Sequence, residues 1–188
     1  MEGFPLFVAR RGPSLTRRAA RECGLHSTSR PFVIRRPAVR EKNRLSVVEK
    51  SVLVGYSAQQ MFALVDAVED YPKFLPWCDR TDLLERDDTR TRATLHINYH
   101  GATQSFTTEN AKDPPHTMTV RLVEGPFRVL DGEWRFTPLR ENACRIDFRL
   151  HYEFSSKLLE MLVGPVFSYI ANTMVDAFVK RADKVYGG

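Results

Sequence analysis

At 188 residues the chain has room for one domain of ordinary size plus a tail. Its composition, 43% hydrophobic and 27% charged, is that of a soluble globular protein, and the absence of an 18-residue apolar run argues against a membrane span. The net charge of +5 divides unevenly: residues 1–44 carry 11 Lys or Arg against Glu2, Glu22 and Glu41, a net of +8, whereas residues 45–188 carry 17 bases against 20 acids, a net of −3. The main body is therefore mildly acidic, which argues against a basic face gripping nucleic acid, and no DNA partner is expected.

Residues 1–44 contain Pro5, Pro13, Pro31 and Pro37 and the pairs Arg10-Arg11, Arg17-Arg18 and Arg35-Arg36. Arg-rich, Ser-containing and poor in acids, they have the composition of a mitochondrial transit peptide. A disordered basic arm, or residues upstream of the true start codon, fits the same composition. The texture changes near residue 45, so the chain divides into an extension, 1–44, and a domain, 45–188.

Residues 47–54 read as a strand ended by Gly55. Ser57, with Gln60 three residues on, has capping-box spacing for a helix whose buried stripe is Met61, Leu64, Val65 and Val68. Tyr71-Pro72 and Leu75-Pro76 stop further helix, because a residue before proline is pushed out of the α region, so residues 71–78 read as an aromatic turn. Strands follow in series. Ala93, Leu95, Ile97 and Tyr99 alternate with polar neighbours, as do Met118, Val120 and Leu122, and then Leu130, Gly132, Trp134 and Phe136. The clearest case sets Cys144, Ile146, Phe148, Leu150, Tyr152 and Phe154 against Arg145, Asp147, Arg149, His151 and Glu153. Weaker strand segments are residues 82–86 and 104–109, with hairpins at 86–89 and 140–142.

Residues 156–188 read as a long amphipathic helix. At 100° per residue, Val163, Phe167, Ile170, Met174, Phe178 and Val185 share one face, and Ser168, Asn172, Asp176, Lys180 and Asp183 the other. Gly164-Pro165 predicts a kink or a broken start. A curved antiparallel sheet of about six to seven strands, wrapped around this helix, buries every apolar face the pattern offers.

Catalytic chemistry is sparse. His26, His96, His100, His116 and His151 lack metal-ligand spacing, and neither a Gly-rich phosphate loop nor a nucleophilic Ser motif occurs. Carboxylates fall on polar faces; Glu109 and Glu133 would reach a concavity only from a bulged strand. Cys23, Cys78 and Cys144, an odd number without redox spacing, suit a reducing compartment. Cys144 reads as a small core residue, and a reactive thiol at Cys78 lacks a base in view. Arg181 lies about 20° from the centre of the apolar helix face. It reads either as a snorkelling cation of the last turn or as a cation at a pocket mouth.

The aromatic residues Tyr71, Phe74, Trp77, Phe106, Phe127, Trp134, Phe136, Phe148, Phe154 and Phe167 serve a plain core or a ligand box. Two turns, Phe74-Leu75-Pro76-Trp77 and Gly125-Pro126-Phe127, place large apolar groups where exposure is unfavourable unless they cover something.

Four blocks carry a family resemblance. They are Asp70-Tyr71-Pro72-Lys73-Phe74-Leu75-Pro76-Trp77-Cys78, Leu122-Val123-Glu124-Gly125-Pro126-Phe127, Gly132-Glu133-Trp134-Arg135-Phe136, and Gly164-Pro165-Val166-Phe167 followed by Ala171-Asn172-Thr173-Met174-Val175-Asp176-Ala177-Phe178. In this order they resemble the coenzyme Q-binding START-domain family of the polyketide cyclase/dehydrase-like superfamily. That family includes mitochondrial ubiquinone-binding proteins and bacterial relatives described as ribosome association toxins. The resemblance spans residues 47–187, and its Gly-Pro-Phe and Gly-Pro-Val-Phe blocks are closer to the bacterial branch.

The resemblance implies an α+β helix-grip (START/Bet v 1-like) fold enclosing an apolar cavity. It implies ubiquinone or another polyprenyl lipid as the ligand, peripheral membrane contact, and a chaperone or delivery role in respiratory electron transport. No catalytic residue, metal or further cofactor is expected. The alternative it carries is a toxin that binds the large ribosomal subunit and blocks subunit joining. Location follows the branch: bacterial cytoplasm, peripheral to the inner membrane, or the matrix side of the mitochondrial inner membrane if residues 1–44 are a transit peptide. The candidate cavity or mouth residues are Tyr71, Phe74, Trp77, Phe106, Phe127, Trp134, Phe136, Phe148, Val163, Phe167, Ile170, Met174 and Arg181.

Overall fold

The computed structural model describes residues 45–187, so the readings for residues 1–44, Cys23 and His26 included, lie outside the described residues. Seven strands, β1 (Ser46–Val54), β2 (Cys78–Arg86), β3 (Arg90–Tyr99), β4 (Ala102–Asp113), β5 (Thr117–Glu124), β6 (Phe127–Arg140) and β7 (Ala143–Phe154), form one sheet. Its order is β1-β7-β6-β5-β4-β3-β2 with every neighbouring pair antiparallel. Helix α1 (Ala58–Asp66) and a 3₁₀ helix (Val68–Lys73) connect β1 to β2, and α2 (Lys157–Tyr186) follows β7.

The period-2 pattern fixes which face of the sheet is dry. Along β7 every even-numbered residue from Cys144 to Phe154 is buried, and Arg145 and Arg149 are exposed. Two of the weaker sequence segments prove to be parts of longer strands, β2 and β4. Register shifts between Thr107 and Thr108, between Leu83 and Glu85, and between Phe127 and Val129 mark irregularities of the kind that bend strands and give a sheet its curvature. Because β1 and β2 are opposite edges of the sheet, the segment joining them must cross from one edge to the other.

Local chemistry starts each helix. Ser57 Oγ accepts from Gln60 N at 3.2 Å while Gln60 Oε1 accepts from Ser57 N at 2.9 Å, the reciprocal capping box the spacing predicts. The expected aromatic turn is a 3₁₀ helix containing Tyr71-Pro72, closed by Leu75 N donating to Tyr71 O at 2.8 Å. Ser156 caps α2, its Oγ accepting from Leu159 N at 3.2 Å.

Two expectations for α2 are corrected. The helix has no broken start: it runs unbroken through Gly164-Pro165, with Pro165 on the exposed side, where water can satisfy the hydrogen bond that proline removes. Its buried line is Phe167, Ile170, Ala171, Val175, Phe178 and Ala182, and Val185 is exposed. Ala171 and Ala182 are fully buried in that line. By length and composition alone α2 could cross a membrane, its most apolar 18-residue window having a mean hydropathy of 1.4. Its buried line instead packs into the core of this fold.

Candidate functional site

Between α2 and the sheet lies an apolar cavity of about 70 Å³. The inward positions of five consecutive strands line it: Leu95 of β3, Phe106, Thr108 and Asn110 of β4, Met118 and Val120 of β5, Leu130 and Trp134 of β6, Phe148 and Leu150 of β7. Val65, Val68, Tyr71 and Trp77 close it from the α1 side, and Phe167, Ile170 and Met174 of α2 cover it. A second cavity of about 20 Å³ continues past Phe106, Phe167 and Ile170, which line both. Its other walls include Ala102, Gln104, Pro126, Phe127, Val163 and Val166.

The partition between the two is aromatic. Phe167 meets Phe127 with ring centroids 4.7 Å apart and Tyr152 at 4.8 Å, while Phe106 stands edge-on to Phe127 at 5.6 Å. Gly125 makes this cluster possible. Its φ is +148°, and a Cβ there would lie 2.5 Å from that of Phe106, so only glycine lets the β5–β6 turn fold down onto that ring.

The two halves of α2 are held differently. Toward its C-terminus, Phe178 packs among Tyr71, Phe74 and Trp134 at 5.2–5.4 Å, and Tyr56 donates to Asp183 at 2.6 Å. Its first turns expose Leu158, Met161 and Leu162, residues that are 66–77% exposed. Tyr169 stacks on Tyr99 at 5.6 Å and ties the helix to the β3–β4 hairpin.

Polar groups near the α1 end are mostly committed. The Tyr71 hydroxyl donates to Val65 O at 2.6 Å, and burial, reinforced by the charge of Asp66, raises its pKa far above the ordinary range. Buried Lys112 pairs with Asp66 at 3.1 Å, and Thr91 donates to the same carboxylate at 3.0 Å. Arg86 reaches the Asp66 carbonyl at 2.7 Å and grips Glu69 with two bonds of 2.7 and 2.8 Å, which hold the Glu69 carboxyl below its ordinary pKa.

The structure brings together Tyr71, Trp77, Phe106, Trp134, Phe148, Phe167, Ile170 and Met174 around the main cavity and adds Phe127 and Val163 around the second. Three sequence candidates are elsewhere. Phe136 is buried behind the lining, stacked on Trp134 and edge-on to Phe62. Phe74 and Arg181 line an open cleft on the outside of α2, where the guanidinium lies 5.4 Å over the Phe74 ring and 3.7 Å from Asp70. Arg181 thus ties α2 to the 3₁₀ helix and lines neither cavity.

Sequence reasoning missed the aliphatic lining residues Val65, Val68, Leu95, Met118, Val120, Leu130 and Leu150, and also the polar pair Thr108 and Asn110. The signal for the polar pair was the continuation of the Phe106 phase at period 2 into polar residues. Glu109 instead pairs with Arg90 and Glu133 with Arg135, and His96 and His151 bond to Asp82 and Asp131 on strand surfaces. An open groove of about 570 Å³ on the outer sheet face is lined largely by charges that pair among themselves, Arg135 with Glu133, Arg145 with Asp147 and Arg149 with Glu49. Among the described residues no cluster of His, Cys, Asp and Glu could hold a metal.

Comparison with known proteins gives this architecture a family. Residues 54–179 match the family described as polyketide cyclase / dehydrase and lipid transport. The ribosome association toxin RatA of Vibrio cholerae is 44% identical over 140 residues, covering 74% of this chain and 97% of the toxin. The mitochondrial coenzyme Q-binding protein COQ10 homolog B of Xenopus laevis is 32% identical over 184 residues, covering 96% of this chain and 74% of that protein. A START superfamily protein from Mycobacterium smegmatis superposes with a TM-score of 0.59 at 19% identity, over 74% of this chain and 98% of the other, a likeness of fold that makes the sheet and α2 a helix grip. The matched span runs from the last residue of β1 to Val179 in α2 and takes in the lining of both cavities: the chain belongs to the polyketide cyclase / dehydrase and lipid transport family.

Proposed function

We propose that the protein holds a polyprenyl quinone, ubiquinone in the first instance, between α2 and the sheet and delivers it to the respiratory chain without turning it over. The observation that carries this reading is the largely apolar lining of the two adjoining cavities, from Ala102 and Val163 at one end to Val65 and Leu130 at the other. The main cavity's walls contain no carboxylate, histidine or lysine, so they offer no acid–base pair for turnover. The relative named as a coenzyme Q-binding protein supports the choice of ligand. Each 100 Å² of prenyl tail removed from water contributes about 2.5 kcal/mol, so apolar walls alone give strong retention.

At about 70 Å³ the main cavity is far smaller than the ~300–1,000 Å³ typical of sites that enclose a ligand. Uptake therefore requires the first turns of α2 to move off the sheet. Those turns carry the exposed Leu158, Met161 and Leu162, which can dip into a bilayer and give the tail an apolar path. The alignment with the mitochondrial relative takes in 96% of this chain and so runs into the Arg-rich segment, which supports a site on the matrix side of the inner membrane. Organic extraction of the purified full chain followed by mass spectrometry is expected to recover a quinone. Protein repeatedly free of quinone, and unable to take it from quinone-loaded vesicles, would overturn the proposal.

A second reading, association with the large ribosomal subunit, is favoured by the higher identity to the bacterial toxin, 44% against 32%. Gradient profiles of ribosomes with added protein would then show more free subunits, and unchanged profiles would end this reading.

A further inference from the structure

Asn110 stands out in a wall built mostly of apolar groups. It is 7% exposed, its Oδ1 is buried without a hydrogen-bond partner, and its Nδ2 has only the Met118 sulfur at 3.8 Å, a weak acceptor. Buried amides are normally satisfied, and a neighbouring Thr108, 5% exposed, adds a hydroxyl to the same wall. The other polar groups at this end are committed, Tyr71 to Val65 and both Lys112 and Thr91 to Asp66. The Asn110 carboxamide therefore has unused capacity for a polar group inside the cavity.

The geometry points to Asn110 as the anchor of the ligand's polar head, seated inward with its tail running out along β4. This inference rests on the quinone-binding reading above. Inward-facing residues of β4 trace the path: Ala102 and Gln104 line the second cavity, Phe106 lines both, and Thr108 and Asn110 line the first. At a strand rise of about 3.3 Å, Asn110 lies roughly 13 Å beyond the Phe106 partition and roughly 26 Å from Ala102. The tail then emerges past Val163 and Val166, beside the exposed apolar turns of α2. A carboxamide also suits both forms of such a head: its N–H groups donate to a quinone carbonyl, and its oxygen accepts from a quinol hydroxyl.

The test compares wild-type full chain with Asn110→Leu, using ubiquinone with a two-isoprene tail and squalene, which has a prenyl chain and no head. The variant is expected to bind the quinone about tenfold more weakly and squalene within twofold of wild type, the loss of roughly one net hydrogen bond. It should also melt no lower than wild type, since an unsatisfied amide has been replaced by an apolar side chain of similar size. Wild-type quinone binding with an unchanged variant overturns the anchor alone. Equal losses for quinone and squalene also overturn it, because Asn110 would then only shape the cavity. A wild-type chain that takes up neither probe defeats the quinone-binding reading and this one with it. Independently of the variant, an inward head quenches the fluorescence of Trp77 and Trp134, both in the main lining, and an absence of quenching on binding overturns the orientation.

Discussion

At the scale of single residues, burial decides the state of the thiols. Cys78 is 5% exposed and contacts the Arg80 carbonyl at 3.7 Å; burial, with the charge of Asp79, pushes its pKa up to about 12. Burial pushes Cys144 up to about 11. Both therefore favour the neutral thiol in the folded chain, and the reactive thiol that sequence left open at Cys78 has no thiolate near neutral pH. The consequence for stability has a definite sign. Above the ordinary thiol range, near pH 8.5, the unfolded chain loses these protons first, so the stabilising contribution is complete below that range and is lost as pH rises toward 11 and 12. Denaturation midpoints should fall above about pH 9. The double variant Cys78→Ala/Cys144→Ala should fall less steeply, keeping only the share due to other raised groups such as Tyr71. Identical slopes for wild type and variant would refute this account.

At the scale of elements, α2 is tied down more firmly at its C-terminal end than over its first turns. Its C-terminal half is held by Phe178, Ala182, the Tyr56–Asp183 bond and the Arg181–Asp70 pair, whereas Phe167 is the first buried side chain from its N-terminus. Phe167→Ala should cost about 3 kcal/mol, at the lower end for a buried aromatic because the site borders the exposed turns. The same change thins the partition between the cavities, so quinone uptake from vesicles should become faster even as stability drops. Hydrogen exchange should show the amides of residues 158–166 opening well before those of 170–182. Uniform protection along the helix would argue against a movable half.

How far these elements were legible depended on what each pattern weighs. Strict alternation in β7 and the Ser57–Gln60 box each rest on one local rule and matched the structure closely. The helix face was read from its large side chains, of which Phe167, Ile170 and Phe178 are buried, yet the buried line is displaced toward Ala171, Val175 and Ala182, which a search for large apolar groups passes over. That displacement left Val185 in solvent. Phe136, Phe74 and Arg181 have the residue types of a site, but stacking on Trp134 and the 3₁₀ geometry turned them away from the cavity. Asn110 was missed for the opposite reason: patterning treats a polar residue as outward-facing, and only the strand's phase shows that this one faces in.

At the scale of the whole molecule, the closed cavity and the expected ligand are linked through stability. A cavity of about 70 Å³ leaves little empty space, so on the proposed reading a quinone has to open α2 and then recover that loss through the apolar area of its tail. Any ligand that binds the folded chain and not the unfolded one stabilises it by RT ln(1 + [L]/Kd), about 2.7 kcal/mol at a hundredfold excess over Kd. Melting of the full chain should therefore rise with the concentration of a short-tailed ubiquinone and follow that logarithm. Because the fixed end of α2 does not take part, Arg181→Met, which removes the cation outside the cavity, should lower the baseline melting temperature and leave the ligand-dependent increment unchanged. A mouth cation would behave differently, since its loss would shrink the increment itself. The comparison of increments thus separates a helix tie from a ligand contact at the residue whose role the sequence left with two readings.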